Sequence, residues 1–284
     1  MNLKKVFWNN IVKLSWVIII IILVFLAKTV NEIGVDYIEN QKDRINGVMT
    51  GAEPVLAENG DIGVLMIHGF SSSPKDFKEL AEFLTKKNIT VSIPLLPGHG
   101  THPKDLKEIV YEDWKDHISL SLSKLDTKKK FILGFSMGGA LALDSASKNN
   151  LDGIISINSA IFIQNKYLPF IPFITFVETY TSKKPEDIVY FSNEKRVVYD
   201  SVPLTSILEL KKLIDSLSIN KITEPILILQ SDNDEVISPE SAFYIYNTIQ
   251  SKDKKLIILY NSTHSRLNNQ EKAFEKIYQF IASH

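Results

Sequence analysis

FILGFSMGGALAL, residues 131–143, sets one serine between glycines, just after an apolar run and just before a stretch with helical character. The core of the pattern, Gly134-Phe135-Ser136-Met137-Gly138, is that of a nucleophile elbow. In such a strand-to-helix turn, a large side chain two residues before or after the serine would clash. Gly139 follows directly. A serine hydroxyl is a poor nucleophile at neutral pH and needs an adjacent base, which in turn needs a carboxylate to hold its tautomer. The elbow therefore carries meaning only if the rest of the chain supplies a histidine, an acid, two amide donors for an oxyanion, and a sheet to mount them on.

Outward from the elbow, short β-rich runs alternate with amphipathic stretches, the pattern of a parallel sheet covered by helices. Strands are expected at Ile62–Ile67, Val91–Leu95, Phe131–Leu133, Gly153–Ile157, Pro225–Leu229 and Leu256–Tyr260. Helices are expected at Pro74–Lys87, Glu112–Leu125, Met137–Ser147, Pro239–Gln250 and Gln270–Ile281, the first with Ser73 as N-cap and Pro74 at its first position. QSDNDEVISPE (230–240) and YNSTHSRLNN (260–269) each follow a strand, which places Asp234 and His264 at strand carboxyl ends. Ser136, Asp234, His264 is the chain order of α/β-hydrolases. Asp232 is the competing acid; Asp234 is preferred because Glu-Val-Ile-Ser-Pro after it leads straight into a helix.

Acyl transfer also requires two backbone N–H groups aimed at the developing oxyanion, one after the nucleophile and one from the loop after the first core strand. These are Met137 and Phe70, the latter in MIHGFSSS (66–73), where Gly69 permits close backbone approach. His68 reads as a residue that orders this loop through hydrogen bonds. LPGHGTHP (96–103) holds His99 and His102, but no carboxylate or third histidine stands at metal-binding spacing, so no metal is expected.

The chain's 284 residues, 44% of them hydrophobic, suffice for one large core with or without a subdomain. A net charge of -1 gives no field to draw nucleic acid, and the lack of cysteine rules out disulfides, thiolate metal sites and a cysteine nucleophile. Two apolar features stand out. Leu14 to Ala27 (LSWVIIIIILVFLA) follows Lys4, Lys5 and Lys13, and with the residues from Val6 reads as an uncleaved membrane anchor within residues 1–28. A cleaved signal peptide is the rival reading, disfavoured by Phe25 and Ala27 at the cleavage positions, and a buried core helix is the third. The expected orientation leaves the N-terminus inside and the catalytic domain extracytoplasmic, although Lys28, Lys42 and Arg44 nearly balance the earlier lysines. Residues 29–50 read as a polar tether and 51–284 as the catalytic domain. Within that domain, residues 161–222 break the alternation; their aromatic start, IFIQNKYLPFIPFITFVETY, is expected to form a cap over the carboxyl edge of the sheet and face the substrate, or else to form its own small core.

These motifs together resemble a known family, the bacterial carboxylesterases related to monoacylglycerol lipases within the α/β-hydrolase superfamily. The likeness covers about residues 47–284 and rests on VLMIHGFSSSPKDF, LLPGHGTHPKDL, YEDW, GFSMGGALAL, YDSVPLTSILEL and DEVISPESAFYIYNTI, in that order. It implies a core sheet with a small helical cap, cofactor-free hydrolysis of short- to medium-chain acyl esters or monoacylglycerols, and triad roles for Ser136, Asp234 and His264. A thioesterase or acyltransferase would use the same triad, and a catalytically inactive binding module would be expected to lack one of its members. Two positions depart from the family: Thr263 where glycine usually precedes the histidine, and Asn269 where an aspartate is common.

Overall fold

The computed structural model describes residues 3–265 and 270–284. Seven strands form the central sheet: β1 (Val55–Ala57), β2 (Ile62–Ile67), β3 (Thr90–Ile93), β4 (Lys129–Phe135), β5 (Gly153–Ile157), β6 (Ile226–Ser231) and β7 (Lys254–Leu259). Their spatial order is β7-β6-β5-β4-β2-β3-β1, parallel throughout except for the short edge strand β1, which runs against β3. The helices longer than two turns are α1 (Leu3–Glu39), α2 (Lys78–Lys86), α3 (Tyr111–Lys124), α4 (Met137–Ala146), α5 (Pro185–Asn193), α6 (Leu204–Asp215), α7 (Glu240–Thr248) and α8 (Gln270–Ser283).

The inner strands are continuous apolar runs because both of their faces are covered, as a parallel sheet with crossover helices requires. In β2, Leu65 and Ile67 point to the layer of α3, α4, α6 and α7, where Trp114, Ile118, Leu141 and Leu213 pack. Val64 and Met66 point to the opposite layer of α2 and α8, against Leu80, Leu84 and Ile277. This is the α/β-hydrolase architecture. After β3 the chain crosses back over β2 to form β4, so the loops following β2 and β4 diverge on either side of a reversal in strand order. Ligands of open α/β sheets bind beyond the carboxyl ends of the strands at such a reversal.

Local chemistry sharpens some expected boundaries and moves others. The stretch beginning at Pro74 opens with a 3-10 turn, Pro74–Phe77, before α2, and Ser73 takes the extended N-cap conformation with no capping bond from its hydroxyl. The edge strand β1, Val-Leu-Ala, is too short for a strand period to show, and its first two side chains are exposed.

Between β5 and β6, Pro169 and Pro172 confine the chain to a 3-10 turn (Leu168–Phe170) and a single helical turn (Ile171–Ile174). Then come a two-stranded ribbon, Tyr180–Ser182 against Ser201–Pro203, with α5 between its strands, and α6, which packs into the main core. The aromatic side chains at the start of this region do not face inward. Phe173 and Phe176 are each 70% exposed and Phe170 58%, because two short turns have too little surface to bury them.

The N-terminal helix is long and apolar enough to cross a membrane, and none of its apolar window is buried. It does not stop where the apolar run stops: residues 29–39, read as tether, continue α1 as far as Glu39.

Trp114 tests the α3 layer. It is fully buried, and its Nε1 donates to the Pro97 carbonyl at 3.1 Å. Trp114→Ala is expected to cost about 3–5 kcal/mol, read as a lower urea midpoint at unchanged slope. A loss under about 1 kcal/mol would show that the layer is not packed as described.

Candidate active site

At the C-terminal end of β4 the backbone turns so sharply that Ser136 takes φ +57° and ψ -119°. That conformation costs a non-glycine residue on the order of 1–3 kcal/mol and persists only where surrounding bonds impose it. Ser136 N donates to the Ile157 carbonyl (3.0 Å), while the Ser136 carbonyl accepts from Gly139 N (2.9 Å) and Ala160 N (3.0 Å). The flanking glycines are required by contact: a Cβ on Gly134 would lie 2.0 Å from the Gly138 oxygen, and one on Gly138 would lie 1.9 Å from the Ile67 oxygen. Gly139 is equally constrained, with Ser159 Oγ 1.8 Å from where its Cβ would stand.

The structure brings the three residues expected from the sequence into one relay. His264 Nδ1 lies 2.7 Å from Asp234 Oδ2, and His264 Nε2 lies 3.0 Å from Ser136 Oγ. All three are buried. A carboxylate can only accept, so Nδ1 carries the proton and Nε2 offers its lone pair to the serine hydroxyl. The other Asp234 oxygen accepts from Val236 N (2.9 Å) and Ile237 N (2.7 Å), the turn into the segment before α7. Asp232, the alternative acid, instead accepts from Ser262 N (3.2 Å) and Asn233 Nδ2 (3.0 Å), stapling the loop after β6 to the loop after β7.

Several residues that steady the relay were not singled out from the sequence. Asn158, fully buried and at φ +45°, donates from Nδ2 to the His264 carbonyl (3.1 Å) and to Ser231 Oγ (3.0 Å). Its Oδ1 accepts from Ser231 N (2.8 Å), so one side chain ties the histidine backbone to the end of β6. Gln164 Nε2 donates to the Asp234 carbonyl (2.7 Å), and the Phe135 ring packs on the His264 ring at 5.0 Å. The only hint in the sequence was position, since an asparagine directly after a buried strand is where a left-handed turn is easily made. Thr263 lies beside the relay and is exposed, while Asn269 falls outside the described residues.

The loop after β2 passes close to the elbow: a Cβ on Gly69 would lie 3.5 Å from Ser136 Cβ. Met137 opens α4, so its amide is one of the first-turn donors without an intrahelical partner. Phe70 follows Gly69 in the same approach. His68 orders the loop as expected, with Nδ1 3.0 Å from the Gly69 carbonyl and Nε2 accepting from Leu96 N (3.2 Å). His99 stacks edge-on between His68 and Trp114, and its Nδ1 bonds the Pro97 carbonyl at 3.0 Å. His102 caps the short helix Pro103–Lys107. Burial holds both inner histidines neutral, His68 lowered to about 4 and His99 to about 3.

From above, the segments that join the ribbon to α5 grip this loop. Lys183, pulled down to about 8 by burial, donates to Ser71 Oγ (2.9 Å), and Tyr199 N donates to the Ser71 carbonyl (3.0 Å). Arg196 forms a two-pronged pair with Asp76, at 2.8 and 2.6 Å. A cleft of about 530 Å³ opens beside His264, with Phe135, Ile157, Leu80 and Ile277 among its apolar lining and Lys75 and Arg196 among its polar lining. None of the exposed cap aromatics Tyr167, Phe170, Phe173 and Phe176 lines it.

Residues 61–271 match the family described as serine aminopeptidase, S33. The chain belongs to that hydrolase family. It is 33% identical over 250 residues to the thermostable monoacylglycerol lipase of Bacillus sp. (strain H-257), covering 84% of this chain and 97% of the relative. To the carboxylesterase of Bacillus subtilis (strain 168) it is 25% identical over 239 residues, covering 81% and 96%. Among solved structures, one from a study of the metagenome-derived lipolytic enzymes LipS and LipT aligns with a TM-score of 0.76 at 31% identity, over 84% of this chain and all of that one. The monoacylglycerol lipase of Paleococcus ferrophilus shares the fold, with a TM-score of 0.67 at 19% identity over 81% and 99% of the two chains. This S33-family chain is therefore a hydrolase of the lipase and esterase kind.

Two outcomes follow from the loop geometry. Gly138→Ala is expected to destabilise on the order of 3 kcal/mol or more by driving a methyl into the Ile67 carbonyl, whereas Gly34→Ala, which meets nothing within 4 Å, is expected to be neutral or slightly stabilising. Equal thermal stabilities for the two variants would refute the close approach. The unfolded chain titrates its histidines near 6.5, so on acidification it binds protons that folded His68 and His99 refuse. Their contribution to stability is complete above pH 6.5 and drains as the pH falls toward about 4 and about 3. The melting temperature is expected to fall across that window, with the His68 imidazole nitrogens still reporting the neutral Nδ1–H form near pH 5, measured by NMR. A protonated His68 at that pH would contradict the bond from Leu96.

Proposed function

We propose that this protein is a membrane-anchored serine esterase that cleaves acyl esters of the carboxylester or monoacylglycerol type through an acyl-enzyme. The observation that carries the reading is the relay from Asp234 to His264 at 2.7 Å and on to Ser136 at 3.0 Å, mounted on the strained elbow. Ser136 Oγ attacks the ester carbonyl carbon as His264 Nε2 takes its proton, and the Asp234 carboxylate stabilises the imidazolium that forms. The oxygen that becomes negative lies against the amides of Phe70 and Met137. Collapse breaks the bond to the alcohol, which leaves with the proton held on Nε2, and the acyl group stays on Ser136. Water then attacks the acyl carbon with Nε2 again as base; the acid departs and the serine regains its proton. No step calls for a cofactor.

Substrate class is supported by the relatives, one named a monoacylglycerol lipase and one a carboxylesterase. The long apolar N-terminal helix supports attachment to a membrane, and the lysines that precede it favour a cytoplasmic N-terminus with the catalytic domain on the other side.

Ser136→Ala and His264→Ala are each expected to lower kcat about a thousandfold or more without altering the circular dichroism spectrum. Asp234→Asn is expected to cost clearly more than Asp232→Asn, since only the former leaves the imidazole without its orienting acceptor. Retained turnover in either of the first two variants, or a larger loss in Asp232→Asn, would overturn the assignment. Across esters from acetate to dodecanoate, kcat/KM is expected to rise by up to about fourfold per added methylene until the acyl site is full. Best activity on the acetate would refute an apolar acyl site.

A further inference from the structure

The N-terminal helix and the cap meet at a built contact. The apolar run of α1 ends at Ala27. One turn further on, Asn31 Oδ1 accepts from Thr179 N (3.1 Å) and Tyr180 N (2.8 Å), while its Nδ2 donates to the Tyr180 carbonyl (3.1 Å). Glu32 accepts from Thr179 Oγ1 at 2.9 Å. On the same helical face Val35 is buried, Asp36 pairs with Lys104 at 2.5 Å, and the fully buried Glu39 accepts from Asp200 N at 2.9 Å. Lys42 closes the contact, 3.0 Å from Glu39 and 3.1 Å from Asp200. The family match begins at residue 61, so this docking is made by a segment outside it.

Directly before Thr179 in the chain lie the aromatics that the cap leaves uncovered. Phe173 and Phe176 are each 70% exposed, and Tyr167, Phe170 and Val177 are exposed beside them in sequence. A chain seldom leaves so many large apolar groups together in water unless something covers them. The placement says what does. At a rise of about 1.5 Å per residue, the Asn31 clamp sits only about 6 Å along the helix from the last apolar residue of the run. The exposed apolar surface of α1 and the exposed aromatic turn are therefore joined through one clamp, at the level where the helix leaves its apolar run. Aromatic rings settle at the boundary between headgroups and acyl chains, and lysines reach out to the headgroups. Lys28 at the end of the run and Lys166 beside Tyr167 are placed for that role.

We propose that Tyr167, Phe170, Phe173, Phe176 and Val177 form a second membrane contact, seated in the interface of the leaflet from which α1 emerges. The proposal rests on the anchoring reading given above and adds to it a defined lipid-facing patch on the cap.

The chain has no cysteine, so single cysteines can be introduced into the full-length protein and labelled one at a time. Phe173→Cys and Phe176→Cys report on the patch, Phe25→Cys on α1, and Lys128→Cys on the opposite, amino-terminal edge of the sheet. Each carries a small fluorophore and is reconstituted in vesicles of phosphatidylcholine with a minority of phosphatidylglycerol. Two quenchers are compared: lipid brominated near the headgroup, and aqueous iodide. The labels at 173, 176 and 25 are expected to lose emission to brominated lipid and to be shielded from iodide, while the label at 128 loses emission to iodide alone. If 25 is quenched by lipid and neither 173 nor 176 is, the cap contact is overturned and the anchor stands. If 25 itself is open to iodide, anchor and cap contact fall together. Retained hydrolysis of a dissolved short ester by each labelled protein shows that it is folded, and the quenching result is independent of which ester the enzyme prefers.

Discussion

The close approach of Gly138 to the Ile67 carbonyl is the contact on which the active site depends. It seats the first turn of α4 against the end of β2, bringing the amide of Met137 and the loop carrying Phe70 to the same point. The same approach forces Ser136 into positive φ, a strain held by the Ile157 carbonyl on one side and by Gly139 and Ala160 on the other. The positive φ of Ser136, the seating of Met137 and the parallel pairing of β2, β4 and β5 are thus one geometric solution. A side chain at Gly138 would disturb all of them together.

Electrostatics around the elbow follow from how little water reaches it. His68 and His99 spend their ring nitrogens on backbone groups of the loops after β2 and β3, and burial keeps them uncharged. Charge enters instead from the cap side, where Lys183 reaches Ser71 and Arg196 is neutralised by Asp76. The loop is held from below by neutral groups and from above by cationic ones.

Much of this was legible in the sequence because its signals are local. Glycine spacing around Ser136, continuous apolar runs in strands buried on both faces, and a histidine and an aspartate each placed just after a strand can all be read one segment at a time. What could not be read depends on partners far along the chain. Asn158 matters through His264 and Ser231, and nothing in SINSA announces a partner more than a hundred residues away. The direction of the cap aromatics was equally hidden: a run of phenylalanines states that surface must be covered but not by what, and two prolines leave turns too short to fold over it. The helical continuation of α1 is not legible because residues 29–39 are polar enough to resemble linker, while their docking stripe of Asn31, Val35 and Glu39 is satisfied by hydrogen bonds more than by apolar contact.

The grip of Lys183 and Arg196 on the loop after β2 divides the cap into two parts of unequal local stability. The ribbon and the start of α6 are tied to the hydrolase body by buried bonds, so opening there requires breaking the Arg196–Asp76 pair and stripping Ser71 of its partners. Between the long-range bonds of Gln164 and those of Thr179, the stretch from residue 165 to 178 has a single buried side chain, Ile171, and its hydrogen bonds are local. Segments so lightly held are the ones that unfold locally with little free energy while the remainder stays closed. Local opening is therefore expected at this edge before the rest of the insertion moves, and whatever lies against the edge would set how often it occurs.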